Sequence, residues 1–200
     1  PSRGAGPDDW KSARERFDSL GVKVSAVGAY LNMLAPDRAE REFNSRHIEQ
    51  LFSIAEIMGC RTIGMFAGRD PERSPEEYLP DFAEVFTPLA RKAGDRGLRL
   101  AIEGCPMFHG WPFRGINIAF TPAMWEKMFD TVPDPALGLE YDPSHLICLG
   151  IDYLRVIRDF APRIFHVHAK DAEVLAEEVY RHGFLDGRAS ADERAAPVVL

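Results

Sequence analysis

Phe165-His166-Val167-His168-Ala169-Lys170-Asp171 closes a short apolar run that begins at Ile164, and its reading decides the fold. The stretch starts as a β-strand and finishes in two imidazoles, a lysine and a carboxylate. Two earlier apolar runs end in the same manner. Residues 98–103 finish in Glu103, and residues 137–142 finish in Asp142, followed by Pro143-Ser144-His145. Strands whose C-terminal tips carry carboxylates and imidazoles are where a parallel α/β barrel places its chemistry.

The rest of the chain supplies the elements that such tips need. Short β-branched runs alternate with longer amphipathic ones, which is the pattern of a parallel α/β fold. Residues 22–30 read as a strand. A helix follows, with Asn44 or Ser45 as the expected cap and Ile48, Leu51, Phe52, Ala55 and Met58 at helical spacing. Gly59 stops it. Residues 62–67 are the second strand, with Gly68-Arg69-Asp70-Pro71 as its exit loop. Ser74 and Glu77 have the spacing of a capping box and open a helix running to about Gly94. The third strand is 98–103, and a loop rich in Gly, Pro and aromatics occupies 104–120. Thr121-Pro122 opens a further helix, a cap residue followed by Pro at the first helical position. The fourth strand is 137–142, a helix covers 152–160, the fifth strand is 164–168, and another helix starts near Asp171.

Five βα units are therefore expected, at about the spacing of a (β/α)₈ barrel, where eight units take ~250 residues. The expectation is an incomplete TIM barrel over residues 1–187, lacking its first strand and its last two. A helix at 8–20 stands before the first visible strand, and 188–200 read as an irregular tail from truncation or a frameshift. An open, doubly wound sheet of five strands is the alternative. No Gly-x-Gly-x-x-Gly or Gly-x-x-x-x-Gly-Lys loop follows any strand, so nothing supports a nucleotide site.

Composition narrows the partners. The 31 acidic residues outnumber the 24 basic ones, giving a net charge of −7 and no Lys/Arg cluster of the kind that tracks phosphates. No nucleic acid is expected. No apolar run approaches the ~18 residues of a membrane helix, so no membrane is expected either. The opening residues have no apolar leader segment, and Cys60, Cys105 and Cys148 are odd in number and widely spaced. Three reduced, structural thiols in a cytoplasmic protein fit that pattern.

Alternation along a strand decides which side chains share a face. Ala101 and Glu103 fall together, as do Glu140 and Asp142, and as do His166, His168 and Lys170. Phe165 and Val167 are expected behind them. Gathering inward carboxylates and imidazoles is costly unless something neutralises them. A divalent cation does so, and mixed oxygen and nitrogen ligands suit Mn²⁺, Co²⁺, Zn²⁺ or Mg²⁺. Each acidic residue taken singly reads as a helix cap or a partner for a loop arginine. Three at equivalent strand ends favour a metal held by Glu103, Asp142 and His168.

Ala101-Ile-Glu-Gly-Cys-Pro106, Leu137-Gly-Leu-Glu-Tyr-Asp-Pro-Ser-His-Leu146 and Ile164-Phe-His-Val-His-Ala-Lys-Asp171, with Asn117 and Thr121-Pro-Ala-Met-Trp125, resemble the xylose isomerase-like barrel family. That superfamily of sugar phosphate isomerases and epimerases also holds inosose dehydratase, ketose 3-epimerases and abasic-site endonucleases. The resemblance runs in register from about residue 22 to residue 185. The Asp-Pro-Ser-His and His-Val-His-Ala-Lys-Asp pair is its most specific part. It implies a (β/α)₈ barrel with a divalent metal held by Glu, Asp, His and a second Glu, matched here by Glu103, Asp142 and His168. The second Glu belongs to a last strand that this sequence lacks. Glu140 stands where relatives more often carry Asn, and reads as a supporting partner or a stand-in ligand.

The resemblance implies an isomerase or epimerase of sugars or sugar phosphates, with Glu103 as a proton-transferring carboxylate and a small sugar as partner. A dehydratase of a keto-inositol or keto-sugar, or an inactive barrel fragment, are the alternatives. Abasic-site cleavage ranks below them, because the additional His ligands and the basic cleft are missing. His145 matches a substrate-contacting position, and His166 and Lys170 line the same mouth. His166 reads equally as an interior imidazole bonded to a neighbour. Arg69 is a candidate for an anionic or hydroxyl-rich substrate, or else a solvated loop residue. His109 and Trp111 form a lid or a packed loop cluster. Relatives often assemble, so a homo-oligomer is expected.

Overall fold

Hydrogen bonding joins five parallel strands in the order in which they occur along the chain: β1 (Ala26–Gly28), β2 (Thr62–Met65), β3 (Arg99–Glu103), β4 (Leu137–Tyr141) and β5 (Ile164–Val167). The computed structural model describes residues 5–109, 114–170, 172–184 and 198–199. A doubly wound sheet reverses its strand order part-way; this one never does. Sequential order is what one arc of a (β/α)₈ barrel requires, and the sheet is a curled half-barrel. The helices alternate with the strands: α1 (Pro7–Ser19), α2 (Arg38–Met58), α3 (Leu79–Asp95), α4 (Pro122–Thr131), α5 (Pro143–Cys148), α6 (Tyr153–Phe160) and α7 (Ala176–His182).

The core lies between the helices and the outer face of the sheet. The apolar positions that mark α2 in the sequence, Ile48, Leu51, Phe52, Ala55 and Met58, are all buried there. Ile63 and Met65 of β2 and Leu100 and Ile102 of β3 meet them from the sheet, and Phe82 stacks on Phe86 from α3 at 4.4 Å between ring centroids. Each such side chain contributes on the order of 2 kcal/mol by leaving water. Trp125 of α4 packs edge-on to Phe160 at 5.4 Å and donates its Nε1–H to Ala119 O at 2.7 Å.

Several boundaries differ from the sequence reading. The cap of α2 is Asp37, whose Oδ1 accepts from Ala39 N at 2.6 Å and Glu40 N at 3.3 Å, rather than Asn44 or Ser45. The first two turns of α2 carry charged, exposed residues with no apolar period to announce them. Asn44 lies inside the helix, buried, and donates to Asn32 O at 2.8 Å. Strand β1 is shorter than the expected 22–30 and, among the described residues, pairs with β2 alone. The Ser74–Glu77 box is present, with Ser74 N and Oγ both donating to Glu77 Oε2 at 2.7 Å. It opens a single 3₁₀ turn, Pro75–Tyr78, before α3 begins. Thr121 caps α4 as its sequence predicts.

Two details shape the barrel mouth. The pairing of β4 with β5 passes from Leu139–Ile164 to Glu140–His166, so Phe165 is an extra residue in the ladder. A Cβ on Gly138 would meet the Phe165 ring, so that ring lies on the Glu140 face and not behind it. Strict alternation is lost at the bulge. Phe108–His109 pairs antiparallel with Arg114–Gly115 inside the long loop, while the His109 side chain and Trp111 lie outside the described residues. In the tail read as irregular, Val198–Val199 pairs with Glu173–Val174; its other residues lie outside the description.

Candidate metal centre

Asp142 shows how local sequence aims a ligand. Asp-Pro-Ser-His makes it the N-cap of α5, with Pro143 at the first helical position. Its Oδ1 accepts from Ser144 N at 3.0 Å and from Ser144 Oγ at 2.6 Å. The other oxygen, Oδ2, is buried and makes no hydrogen bond. Around it stand His145 Nε2 and His168 Nδ1, each at 3.5 Å, and Lys170 Nζ at 3.2 Å in an ion pair. Burial opposes ionisation of Asp142, but the Ser144 bonds and the nearby cations prevail and hold its carboxyl below the usual range.

Glu103 closes the group from the end of β3, where it is buried. Its Oε1 lies 3.0 Å from His168 Nδ1 and 3.7 Å from His145 Nε2. One atom each from Glu103, Asp142 and His168 fall within 4.8 Å of one another. Two carboxylate oxygens and an imidazole nitrogen suit a hard or borderline divalent cation. Asp142 Oδ2, buried and held by the Lys170 ion pair without a formed hydrogen bond, is the kind of acceptor that such an ion satisfies. The donor set therefore fits a divalent metal.

His145 is pushed up to about 9. Burial works against its charged form, but the neighbouring Cys105 thiol and the Glu103 and Asp142 carboxylates outweigh it. Glu140, on the face of β4 that carries Asp142, accepts from the Tyr30 hydroxyl at 2.8 Å through Oε2. Its Oε1 lies 3.0 Å from His166 Nδ1 and 3.2 Å from His168 Nε2, and His166 Nε2 is 3.0 Å from Ser25 Oγ. Burial and the Glu140 bond push the Tyr30 phenol well above its usual range.

The structure thus brings Glu103, Asp142, His145, His166, His168 and Lys170 to one mouth. It opens into a cleft of ≈ 660 Å³ that Tyr30, Phe66, Glu103, His168 and Lys170 help to line, within the ~300–1,000 Å³ range of small-molecule sites. Arg69 is not part of it. Its guanidinium is buried, depressed in pKa by that burial, and donates through Nε to Gly115 O at 2.5 Å. That makes it a brace for the loop and not the solvated residue that the sequence allows. Sequence reading passed over Tyr30 and Cys105. Cys105 comes together with Glu103 and His145, and its place two residues beyond Glu103 was the available signal. Tyr30 gave none, since its contact depends on pairing between distant strands.

Comparison with known proteins now decides the family. The profile of the xylose isomerase-like TIM barrel matches residues 2–191. The chain belongs to that family. Among curated relatives, inosose dehydratase of Geobacillus kaustophilus (strain HTA426) is 23% identical over 188 residues, covering 90% of this chain and 59% of its own length. Among solved structures, a D-tagatose 3-epimerase-like protein superposes with a TM-score of 0.70 at 21% identity, covering 83% of this chain and 62% of that one. The IOLI protein with a bound zinc atom has a TM-score of 0.66 at 18% identity, covering 83% of this chain and 58% of that one. The chain spans between half and two thirds of the length of these three. No described helix is long and apolar enough to cross a membrane.

Proposed function

We propose that this chain carries the metal-binding half of a sugar-modifying enzyme that removes a proton from a carbon next to a keto group. Glu103, Asp142 and His168 hold a divalent cation, which when bound acts as a Lewis acid toward neighbouring substrate oxygens. The single observation that carries the reading is their convergence from three successive strands, one ligand atom from each lying within 4.8 Å of the others. Glu103 takes the proton, its carboxylate lying at the cleft wall within reach of a bound small molecule. His145 and Lys170 bind and orient substrate hydroxyls at the same mouth. Tyr30 and Phe66 form an apolar wall against which a sugar ring packs.

Return of a proton to the opposite face of the same carbon gives an epimerase, and to the neighbouring carbon an isomerase, the first reading. The sequence match to inosose dehydratase favours a second, in which the same proton removal is followed by loss of water. Both readings share one test. The full chain, loaded with Mn²⁺, Co²⁺ or Zn²⁺, is incubated in D₂O with keto-sugars and with a keto-inositol. Metal-dependent entry of deuterium beside the carbonyl is expected, and Glu103→Gln should abolish it without unfolding the chain. Deuterated sugar isomers support the first reading, and an unsaturated ketone the second. Exchange that is indifferent to metal removal, or to Glu103→Gln, would sink the proposal.

A further inference from the structure

Glu140 is a buried carboxylate for which the proposed metal set has no use. It is 2% exposed, and Gly64 of β2 leaves it room, since a Cβ there would stand 2.9 Å from both of its oxygens. Tyr30 binds its Oε2, and its Oε1 faces His168 Nε2 at 3.2 Å. The other nitrogen of that ring, Nδ1, faces Glu103 Oε1 at 3.0 Å and Asp142 Oδ2 at 3.5 Å. The His168 imidazole is therefore spanned, with one nitrogen toward the proposed ligands and the other toward Glu140.

An imidazole binds a cation only through a nitrogen that carries no proton. Neutral His168 can join Glu103 and Asp142 only as the tautomer with its hydrogen on Nε2. With a cation offsetting the pull of Glu103 and Asp142 on a proton at Nδ1, a carboxylate beside Nε2 favours that tautomer in two ways. It accepts the N–H, and it repels the lone pair that the other tautomer would place there. Histidine ligands commonly depend on such a partner for orientation and basicity. A second cation between Glu140, His166 and His168 fits less well, because Tyr30 holds Oε2 of Glu140 and His168 would have to give up both of its protons. We infer that Glu140 is a positioning residue that fixes His168 with Nε2–H toward itself and Nδ1 toward the metal. The inference rests on the metal reading above.

The experiment uses the full chain and Zn²⁺ alone. Zn²⁺ affinity is measured by chelator competition, stoichiometry by elemental analysis, and the His168 tautomer by long-range ¹H–¹⁵N spectra of the histidine rings. Wild type should bind one Zn²⁺ with His168 in the Nε2–H form. Glu140→Gln and Glu140→Leu should weaken binding on the order of 10- to 100-fold, the second more than the first. At saturating Zn²⁺, Glu140→Leu should also move the His168 Nε2–H proton signal upfield or lose it to solvent exchange, because its acceptor is gone, a change that mere loss of packing does not produce. Folding is checked by circular dichroism, and Glu140→Gln, which keeps the shape, carries the test if Glu140→Leu fails to fold. Unchanged affinity and ring signals in folded variants overturn the role of Glu140 and leave the metal reading standing. A wild-type chain that binds no Zn²⁺ overturns both. Two Zn²⁺ per wild-type chain, one of them lost with Glu140, overturn the inference by making Glu140 a ligand.

Discussion

The raised pKa of His145 makes the metal-free chain a sensor of its own empty charge. The ordinary histidine value is 6.5, and in the folded mouth it is about 9. A group whose folded pKa lies above its unfolded one stabilises fully below the unfolded value and loses that contribution as pH rises through the folded one. The window therefore runs from about 6.5 to 9. At 1.36 kcal/mol per unit, the shift corresponds to roughly 3 kcal/mol, and only 14% of the side chain is exposed, so solvent screens little of it. Replacing His145 by Asn removes the charge and keeps a small polar group. Urea unfolding, followed by tryptophan fluorescence in the presence of a chelator, gives the stability of both proteins from pH 6 to pH 10. The wild type should lead by roughly 3 kcal/mol more at pH 6 than at pH 10. Saturating Zn²⁺ should flatten that slope, because a cation beside Asp142 and Glu103 replaces the attraction that holds the proton. Parallel stability curves for the two metal-free proteins across this range would refute the electrostatic account.

Gly64→Ala tests the crowding around Glu140: the new methyl would stand 2.9 Å from both carboxylate oxygens and from the Tyr30 hydroxyl. Displacing them should cost about 1–3 kcal/mol and lower Tm by roughly 3–10 °C for a domain of this size, and an unchanged melting curve would show that the mouth yields freely. Asn117→Leu removes a fully buried hub that donates to Glu103 O at 3.0 Å and Cys105 O at 2.7 Å and accepts from Gly68 N and Ala119 N. Leaving those four backbone groups unpaired should cost on the order of 3–5 kcal/mol in chemical unfolding, and a loss under about 1 kcal/mol would mean that water takes the place of the amide.

What was legible in the sequence was whatever repeats locally. The 3.6-residue period of Ile48, Leu51, Phe52, Ala55 and Met58 marked the buried face of α2, and the alternation of Glu103 with Ala101 and of Asp142 with Glu140 marked the inner face of the strands. What escaped depends on partners far away in the chain. Asp37 had no apolar run behind it to identify it as a cap, and α5, which Asp142-Pro143 opens just as Thr121-Pro122 opens α4, is absent from the elements expected of the sequence. The bulge at Phe165 exists because β5 must pair with β4, and a strand pattern read alone cannot show it. Arg69 looked like a loop cation because its partner, the Gly115 carbonyl, lies 46 residues away.

The same long-range logic explains why the mouth tolerates three buried carboxylates. Asp142 and Glu140 are each secured through one oxygen, Asp142 by Ser144 and Glu140 by Tyr30, and each turns the other oxygen toward an imidazole. Securing one oxygen fixes the direction of the second without neutralising it. An unpaired buried charge is costly, so the free oxygens must be answered by neighbouring positive charge, the His145 imidazolium or a metal cation among them. Without a metal, His145 supplies such a charge, its pKa raised in part by the Asp142 carboxylate. A divalent ion at Glu103, Asp142 and His168 competes for the same charge, so metal binding and proton release become one equilibrium. Zn²⁺ affinity should therefore rise with pH up to about 9 and then level off, and in His145→Asn the rise should be shallower because one of the competing protons is gone.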